Sequence, residues 1–268
     1  SQFKAEKKGI EKQFDINRYK KWMLPVTLIL VFQMLVMLGL FQKAENGLYD
    51  YWFKIRGAID PGEQVVVLAI DDASIQRIGP WAWPRGIHAH LLELLKDTRV
   101  VCFDLTFAAE QDTDNDTALG EAIERHGRVV LSGKIVFHRD ETDETIQGIE
   151  IPIHDLLAGN PGLGFVNMAT DSDDIVRRPS LVDVNLMDIP IPSLALAVVM
   201  AAEDLTLDDL KLGSGWLEAG KHRIPINKEN RALATFYGPM HTFKTISYAD
   251  VIEGAVKPEY FKDKIVII

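Results

Sequence analysis

The chain has 268 residues, of which 47% are hydrophobic and 25% are charged, so it can bury a folded core and is not a disordered protein. Its formal net charge is -10, with 39 acidic and 29 basic residues, and this excess of negative charge argues against a nucleic-acid-binding protein. The single cysteine, Cys102, excludes both an intrachain disulfide and a thiolate zinc site, and we interpret it as a small buried side chain.

The first element in chain order is an apolar segment, residues 22–41, which contains no charged side chain. At about 1.5 Å rise per residue it spans roughly 30 Å, the thickness of the hydrocarbon core of a bilayer. A signal peptide and a buried core helix are the alternatives, but no small-residue cleavage site follows, and a helix apolar on all sides is unusual in a domain of this size. The sequence therefore predicts an uncleaved transmembrane helix over residues 22–42, with Gln33 as its polar residue.

Basic residues are concentrated on the N-terminal side of this segment. The positive-inside rule therefore predicts that residues 1–21 form a cytoplasmic tail and that residues 43–268 lie outside the cytoplasm. The basic residues that precede the segment are Lys4, Lys7, Lys8, Lys12, Arg18, Lys20 and Lys21, and those that follow it soonest are Lys43, Lys54 and Arg56.

Beyond the apolar segment, the pattern of apolar residues predicts alternating strands and helices. A continuous apolar run rich in β-branched residues at 65–70 and a second apolar run at 100–105, which ends at Asp104, indicate strands buried on both faces of a sheet. Helices are predicted over 46–57 and 87–96. This order predicts the α/β class, with the transmembrane helix followed by one ectodomain around a central, largely parallel or mixed sheet. The other predicted elements are a helix capped by Asp116 and ending near residue 125, a strand starting at 129–131, an acidic surface loop at 138–150, a helix over 191–203, and strands near 164–167, 180–184, 223–226, 233–236 and 264–268.

Three aspartates follow the two predicted buried strands, and a turn with two tryptophans and an arginine comes shortly after the first pair of aspartates. The carboxyl ends of parallel strands meet at one edge of a sheet, where ligands usually bind in α/β proteins. A ligand pocket at this edge is one interpretation. The other is a structural clasp, in which the carboxylates cap backbone N–H groups and the arginine pairs with one of these aspartates. The residues concerned are Asp71, Asp72, Trp81, Trp83, Arg85 and Asp104.

The aspartates Asp112, Asp114 and Asp116 alternate as they do in a calcium-binding loop. The pattern then departs from such a loop, because Thr117 stands where glycine is needed and Ile123 stands where glutamate is needed. A solvated loop that ends in a helix cap is therefore the favoured interpretation, and a weaker cation site is the alternative.

Motifs for phosphate binding, nucleophilic serine catalysis and zinc hydrolysis are absent from the sequence. His88 and His90 point to different sides of a predicted helix, so we interpret them as a surface or interface pair rather than as metal ligands. The sequence accordingly predicts no catalytic residue, no metal and no cofactor in this chain.

Several stretches, taken in order and spacing, resemble the CHASE2 family, whose members are extracytoplasmic sensor domains of bacterial signalling proteins. The resemblance covers about residues 48–268. The stretches are YDYWFKIRG at 49–57, VVVLAIDDASIQRIGPWAWPR at 65–85, FDLTF at 103–107 followed by Asp112, GFVNM at 164–168, DSDDIVRR at 171–178, TFKTISYADVI at 242–252 and FKDKIVII at 261–268.

The resemblance implies a sensor in the bacterial inner membrane with its main domain in the periplasm. It implies a cytoplasmic output module that this chain does not contain, most often a class III adenylate or guanylate cyclase, a histidine kinase or a Ser/Thr kinase. It also implies a homodimer that responds to an extracellular stimulus or a periplasmic protein. Candidate dimer or membrane contacts are Gln33, Tyr49, Trp52 and Phe53.

A Gly-rich segment usually follows the last strand in this family, whereas the present sequence stops before it, so we expect a fragment of a longer protein. The alternative function is an envelope scaffold or assembly protein that uses the same kind of domain to bind another protein.

Overall fold

A computed structural model describes residues 16–39, 41–139, 145–184 and 190–268. The described chain divides into two compact units, one that ends at Gly57 and one that runs from Ala58 to Ile268. Most of the predicted N-terminal tail therefore lies outside the described residues. The helices are α1 (Ile16–Met37), α2 (Gln42–Arg56), α3 (Asp72–Ile78), α4 (Arg85–Leu94), α5 (Thr113–His126), α6 (His154–Leu157), α7 (Leu194–Ala202) and α8 (Tyr248–Ile252). The strands are β1 (Val65–Ala69), β2 (Val100–Phe103), β3 (Val129–Arg139), β4 (Thr145–Glu150), β5 (Gly162–Phe165), β6 (Val182–Asp183), β7 (Ile191–Pro192), β8 (Leu210–Gly213), β9 (Trp216–Ala219), β10 (His222–Pro225), β11 (Lys244–Ser247) and β12 (Ile265–Ile267).

The first unit consists of α1 and α2. The helix predicted over 22–42 ends at Met37, and Gly39 adopts a positive φ of 69° in the break before α2. Glycine suits this position because it lacks the Cβ atom that disfavours positive φ. Within the part of the chain that the structure describes, no helix taken alone has the length and hydropathy of a membrane span, whereas Lys21–Met37 and Gln42–Arg56 reach them as a pair bent by 69°.

The second unit is built around a sheet with the strand order β11–β1–β12–β2–β3–β4, in which β5 also pairs with β3. Every pairing in this sheet is parallel except that of β3 with β4. This confirms the prediction of an α/β fold with a central, mostly parallel sheet. The strand β1 lies between β11 and β12, so its two partners come from the far end of the described chain.

Helices cover both faces of the sheet. On one face, Leu68 and Phe103 pack with residues from α4 and α5, among them Leu92 and Leu119. On the other face, Cys102 packs in a separate cluster with Val100, Val130 and residues of α7. Cys102 is buried, which confirms the prediction of a small buried side chain. Burial raises the pKa of its thiol to about 12, and the charge of Asp104 contributes in the same direction.

A second, smaller core lies beside the sheet. The strands β8, β9 and β10 form an antiparallel sheet, and Leu217 and Ala219 of β9 pack against Leu196 and Met200 of α7. Gly164 of β5 permits the close approach of α7. A Cβ atom at this position would lie only 2.5 Å from the Leu194 Cα atom. The helix α7 thus joins the two cores.

Several predicted elements differ from the observed ones. The helix expected to start after Asp116 begins at Thr113, because Asp112 is its cap. Much of the predicted loop at 138–150 is the antiparallel pair β3–β4, and residues 140–144 of it lie outside the described residues. The prediction of a strand near 233–236 is wrong, since these residues form no ladder. The helix predicted from residue 191 starts at Leu194, after the cap Ser193.

Candidate functional site

The carboxyl ends of β1, β2, β11 and β12 lie at one edge of the parallel sheet. Asp71 follows β1 and Asp104 follows β2, so both predicted carboxylates are at this edge, as expected. The strand β12 separates β1 from β2, which places the two positions roughly 10 Å apart at an interstrand spacing of about 4.8 Å. The two aspartates are therefore at the same edge but on strands that are not neighbours.

Asp71 is the N-cap of α3, and it also accepts a hydrogen bond from Ser247 at the end of β11. Its Oδ1 atom accepts hydrogen bonds from the Ser74 backbone N–H at 2.8 Å, from the Ser74 hydroxyl at 2.6 Å and from the Ser247 hydroxyl at 2.8 Å. Burial opposes ionisation, but these hydrogen bonds outweigh it and hold the pKa of the Asp71 carboxyl below its usual value. Asp71 thus performs the capping role that the clasp interpretation predicts, whereas Asp72 is exposed in the first turn of α3.

Replacement of Asp71 by alanine is expected to lower the free energy of unfolding by about 0.5–2 kcal/mol, the usual cost of losing a helix N-cap. The neighbouring variant Asp72→Ala is the matched control, because its side chain is exposed, and we expect a change within roughly 0.5 kcal/mol. Urea unfolding of the two variants, followed by circular dichroism, measures the difference. Equal losses in both would contradict the capping role of Asp71.

An aromatic cluster lies beside this cap. Trp83 is buried, donates a hydrogen bond from Nε1 to the Gly79 carbonyl at 2.7 Å and packs on the Tyr248 ring at a centroid distance of 4.9 Å. Trp81 makes a T-shaped contact with Trp83 at 5.2 Å and keeps 45% of its surface exposed. The Trp-rich turn therefore places one ring in the core and leaves the other at the surface.

His88 lies at the centre of this aromatic cluster. It is only 1% exposed, and its Nδ1 atom lies 2.8 Å from the Tyr248 hydroxyl. Its ring contacts the side chains of Trp81, Trp83 and Phe103. The prediction of a surface or interface pair with His90 is wrong for His88, because α4 turns this side chain into the core. Burial, assisted by the charge of Arg85, lowers the pKa of His88 to about 4.

Arg85 pairs with Asp116 rather than with one of the strand-end aspartates. The two side chains are both buried, and Arg85 Nη1 lies 2.7 Å from Asp116 Oδ1 in a contact outside hydrogen-bond geometry. Arg85 Nη2 donates a hydrogen bond to the Ala109 carbonyl, and Asp116 Oδ2 accepts one from the Gln111 backbone N–H at 3.0 Å. Asp116, predicted as a helix cap or weak cation ligand, is instead the buried partner of Arg85.

Asp112 and Asp114 remain at the surface. Asp112 is the N-cap of α5 and accepts hydrogen bonds from the Asp114 backbone N–H and from the Asn115 side chain. The described residues contain no group of three or more histidine, cysteine, aspartate or glutamate side chains arranged to hold a metal ion. The favoured interpretation of a loop ending in a helix cap therefore agrees with the observed geometry, with the cap at Asp112.

A second buried arginine lies in the DSDDIVRR stretch. Arg177 is buried and forms two parallel hydrogen bonds of 2.8 Å to the Asp173 carboxylate, with a further one to Asp171 at 3.1 Å. The hydrogen bonds from Arg177 lower the pKa of Asp173. The Arg177 carbonyl also accepts a hydrogen bond from the Ala234 backbone N–H, so the loop that contains this ion pair is joined to a distant part of the chain by a backbone hydrogen bond.

Sequence reasoning missed an apolar groove of about 660 Å³, within the size range of small-molecule sites. It lies between β5 and α7, and no single sequence pattern indicates it, because its lining residues come from five separate stretches of the chain. The lining residues are Ile149, Ile151, Asn160, Pro161, Gly162, Leu163, Pro190, Ile191, Pro192, Ala197, Met200, Ala201, Leu205, Thr206 and Leu207.

The six predicted ligand-binding residues thus divide into two groups. The side chains of Trp83 and Arg85 are buried in contacts within the protein, and Asp71 is occupied as a helix cap. Trp81 belongs to the other group, because 45% of its surface is exposed. Asp72 and Asp104 present carboxylates to solvent at the same edge of the sheet. The geometry favours a clasp for the buried group, and ligand binding at this edge stays a prediction.

The predicted dimer or membrane contacts also divide. Tyr49 and Phe53 pack against each other at a centroid distance of 4.8 Å and are half-buried, whereas Trp52 is exposed. Gln33 lies on α1 among exposed apolar side chains. The three predicted contact residues on α2, Tyr49, Trp52 and Phe53, therefore do not share one face.

An α/β domain preceded by an apolar helix is an architecture that many protein families with different functions share. Comparison with known families identifies which one: the CHASE2 domain matches residues 26–268, and the chain belongs to this family. CHASE2 domains are extracytoplasmic sensor domains, so the chain has a sensory character. No curated protein and no solved structure gave a significant match.

Proposed function

We propose that this chain is the membrane-anchored, extracytoplasmic sensor region of a bacterial signal-transduction protein. The proposed output is a cytoplasmic class III adenylate cyclase or, failing that, a protein kinase. The observation that carries the proposal is the CHASE2 match, which begins within α1 and extends over the whole second unit. In the proposed topology, residues 1–21 are cytoplasmic, residues 22–42 cross the inner membrane and residues 43–268 form the periplasmic domain.

The side chains of α1 support the proposed anchor. Large apolar residues along the helix are exposed, including Leu24, Ile29, Phe32 and Met37. Burying each such side chain is worth about 1.5–3 kcal/mol, so a helix that exposes many of them is stabilised by hydrocarbon rather than by water.

The proposed mechanism is a shift between two arrangements of the periplasmic domain that changes the position of the membrane helix. The strand β1 is the first element of the sheet after the anchor, and it lies between β11 and β12. A stimulus that moves the carboxyl edge of these three strands therefore acts on the strand that follows the membrane segment and α2 in the chain. We propose a homodimer, because cyclase and kinase outputs usually work in pairs, with Gln33 of α1 as a contact.

The experiment that tests the anchor uses alkaline phosphatase, which is active only after export, fused after residue 21 or after residue 268. We expect activity from the second fusion and none from the first. A matched fusion after residue 268 that lacks residues 22–41 is expected to be inactive. Activity that is independent of residues 22–41 would contradict the proposed topology.

The output is tested on the native protein purified from membranes. An intact mass well above 30.1 kDa, together with cyclic AMP synthesis from ATP, is the expected result. A larger mass with autophosphorylation and no cyclic nucleotide would replace the cyclase by a kinase. A mass near 30.1 kDa would overturn the output module and favour the scaffold function instead.

A further inference from the structure

The helix α2 carries an exposed apolar stripe. Leu48, Tyr51, Trp52 and Ile55 are spaced three, four and seven residues apart, so they lie on one side of the helix. Their exposed fractions are 69%, 59%, 61% and 63%. The helix ends in a Gly57 cap, whose backbone N–H donates to the Phe53 carbonyl.

The other side of α2 is covered. Asn46 is 2% exposed, and Tyr49 and Phe53 are half-buried and in contact with each other. The Arg56 guanidinium lies 4.5 Å from the Phe53 ring centroid on the same side. The helix α2 therefore has two apolar faces. One is packed, and the other is not covered by any residue that the structure describes.

The neighbouring helix indicates what covers the apolar face. The helix α1 exposes apolar side chains all around its axis, and α2 follows it after a break of a few residues. The two helices are bent by 69°, so a bilayer-spanning α1 would leave α2 close to the membrane plane. Tyrosine and tryptophan are enriched at the membrane–water interface, and a helix of this kind buries its apolar face at the headgroup boundary.

The charges of α2 agree with such a position. Lys43 and Lys54 are exposed and lie outside the apolar stripe, and together with Arg56 they outnumber the acidic residues of the helix, Glu45 and Asp50, by one. Basic side chains in the headgroup region of a bilayer are attracted to anionic lipids. A dimer interface formed by the same stripe would not require basic residues beside it.

We propose that α2 is an interfacial helix that inserts Leu48, Tyr51, Trp52 and Ile55 into the outer surface of a bilayer containing anionic lipid. This proposal rests on the proposed membrane anchor. It assigns the stripe a lipid partner rather than a second copy of the chain. The helix then holds the junction between the membrane segment and the sensor domain at a fixed depth.

The test is nitroxide labelling of the whole chain, reconstituted in vesicles of phosphatidylethanolamine and phosphatidylglycerol. A label is attached at Trp52→Cys or Ile55→Cys in a Cys102→Ala background, with Lys54→Cys as the matched control and Ile29→Cys as the marker of the anchor. We expect residues 52 and 55 to be more accessible to oxygen than to a water-soluble nickel complex, at a depth of roughly 5–10 Å. Residue 54 is expected to show the reverse.

Three other outcomes are informative. Nickel access at residues 52 and 55, with residue 29 still in lipid, would overturn the interfacial helix and leave the anchor standing. Nickel access at residue 29 would overturn the anchor and the interfacial helix together. Spin–spin broadening at residues 52 and 55 that disappears on dilution with unlabelled chain would show that a second copy covers the stripe, and would overturn the proposal.

Discussion

Replacement of Arg85 by methionine is expected to lower the free energy of unfolding by roughly 3–5 kcal/mol, the usual effect of breaking a buried ion pair from one side. Both partners are buried, with exposed fractions of 5% for Arg85 and 2% for Asp116. Without the guanidinium, the Asp116 carboxylate keeps its hydrogen bond from Gln111 but loses the positive charge that compensates its burial. Chemical denaturation of the chain in detergent micelles measures the loss.

The matched control for this variant is Arg77→Met. Arg77 pairs with Asp250 and Glu253, but these side chains are about one third or more exposed, so we expect a loss of only about 0–1 kcal/mol. The double variant Arg85→Met with Asp116→Leu is expected to recover much of the stability, because it removes both buried charges together. A double variant as unstable as Arg85→Met alone would contradict the explanation by an uncompensated charge.

Acidification is expected to destabilise the domain as the pH falls from about 6.5 to about 4, the pKa of His88 in the folded state. The folded state holds this side chain neutral, so its contribution is fully present above the unfolded pKa of 6.5 and is lost as the pH falls. At 1.36 kcal/mol per pKa unit, the loss from His88 reaches about 3 kcal/mol. His126, whose pKa is also lowered by burial, contributes in the same direction.

The measurement is urea unfolding at pH values across this range, for the wild-type chain and for His88→Gln and His90→Gln. His88→Gln removes the titrating group, so its stability is expected to fall less steeply between pH 6.5 and 4. His90→Gln is the matched control, because it makes the same replacement at an exposed position of the same helix. The depressed pKa of Asp71 acts below its ordinary value of 3.8, outside this range. A wild-type slope retained in His88→Gln would contradict the assignment.

Arg85, which the sequence predicted as a ligand-binding candidate, and His88, which it predicted at the surface or an interface, are both buried in α4. Trp83, Arg85 and His88 bring the N-terminal half of α4 into contact with α5 and α8 through buried polar groups. A buried network of this kind favours one arrangement strongly, because a partly satisfied alternative is costly. Under the proposed function, a stimulus at the nearby edge of the sheet would act on a domain that resists gradual deformation.

Local patterns determined a large part of the fold. The β-branched runs identified β1 and β2, and the uninterrupted apolar segment identified α1, because side-chain periodicity depends on neighbours in sequence. Helix caps are equally local, since Asp71 and Asp112 accept hydrogen bonds from residues within the next turn. The strand at 244–247 and the helix α3 were missed, because both are short and polar at their exposed positions.

The partners of buried charges and of strands depended on the tertiary structure. Asp116 looks like a surface cap in sequence, and only the packing of α4 against α5 brings it to Arg85. His88 looks like half of an exposed pair, and only the Tyr248 hydroxyl, 160 residues away, explains its burial. The sequence by itself therefore determined the family, the helix that we assign to the membrane and several strands of the sheet, among them β1 and β2. Long-range strand pairing decided the order of those strands and which side chains lie at their carboxyl ends. No local sequence pattern encodes such pairing.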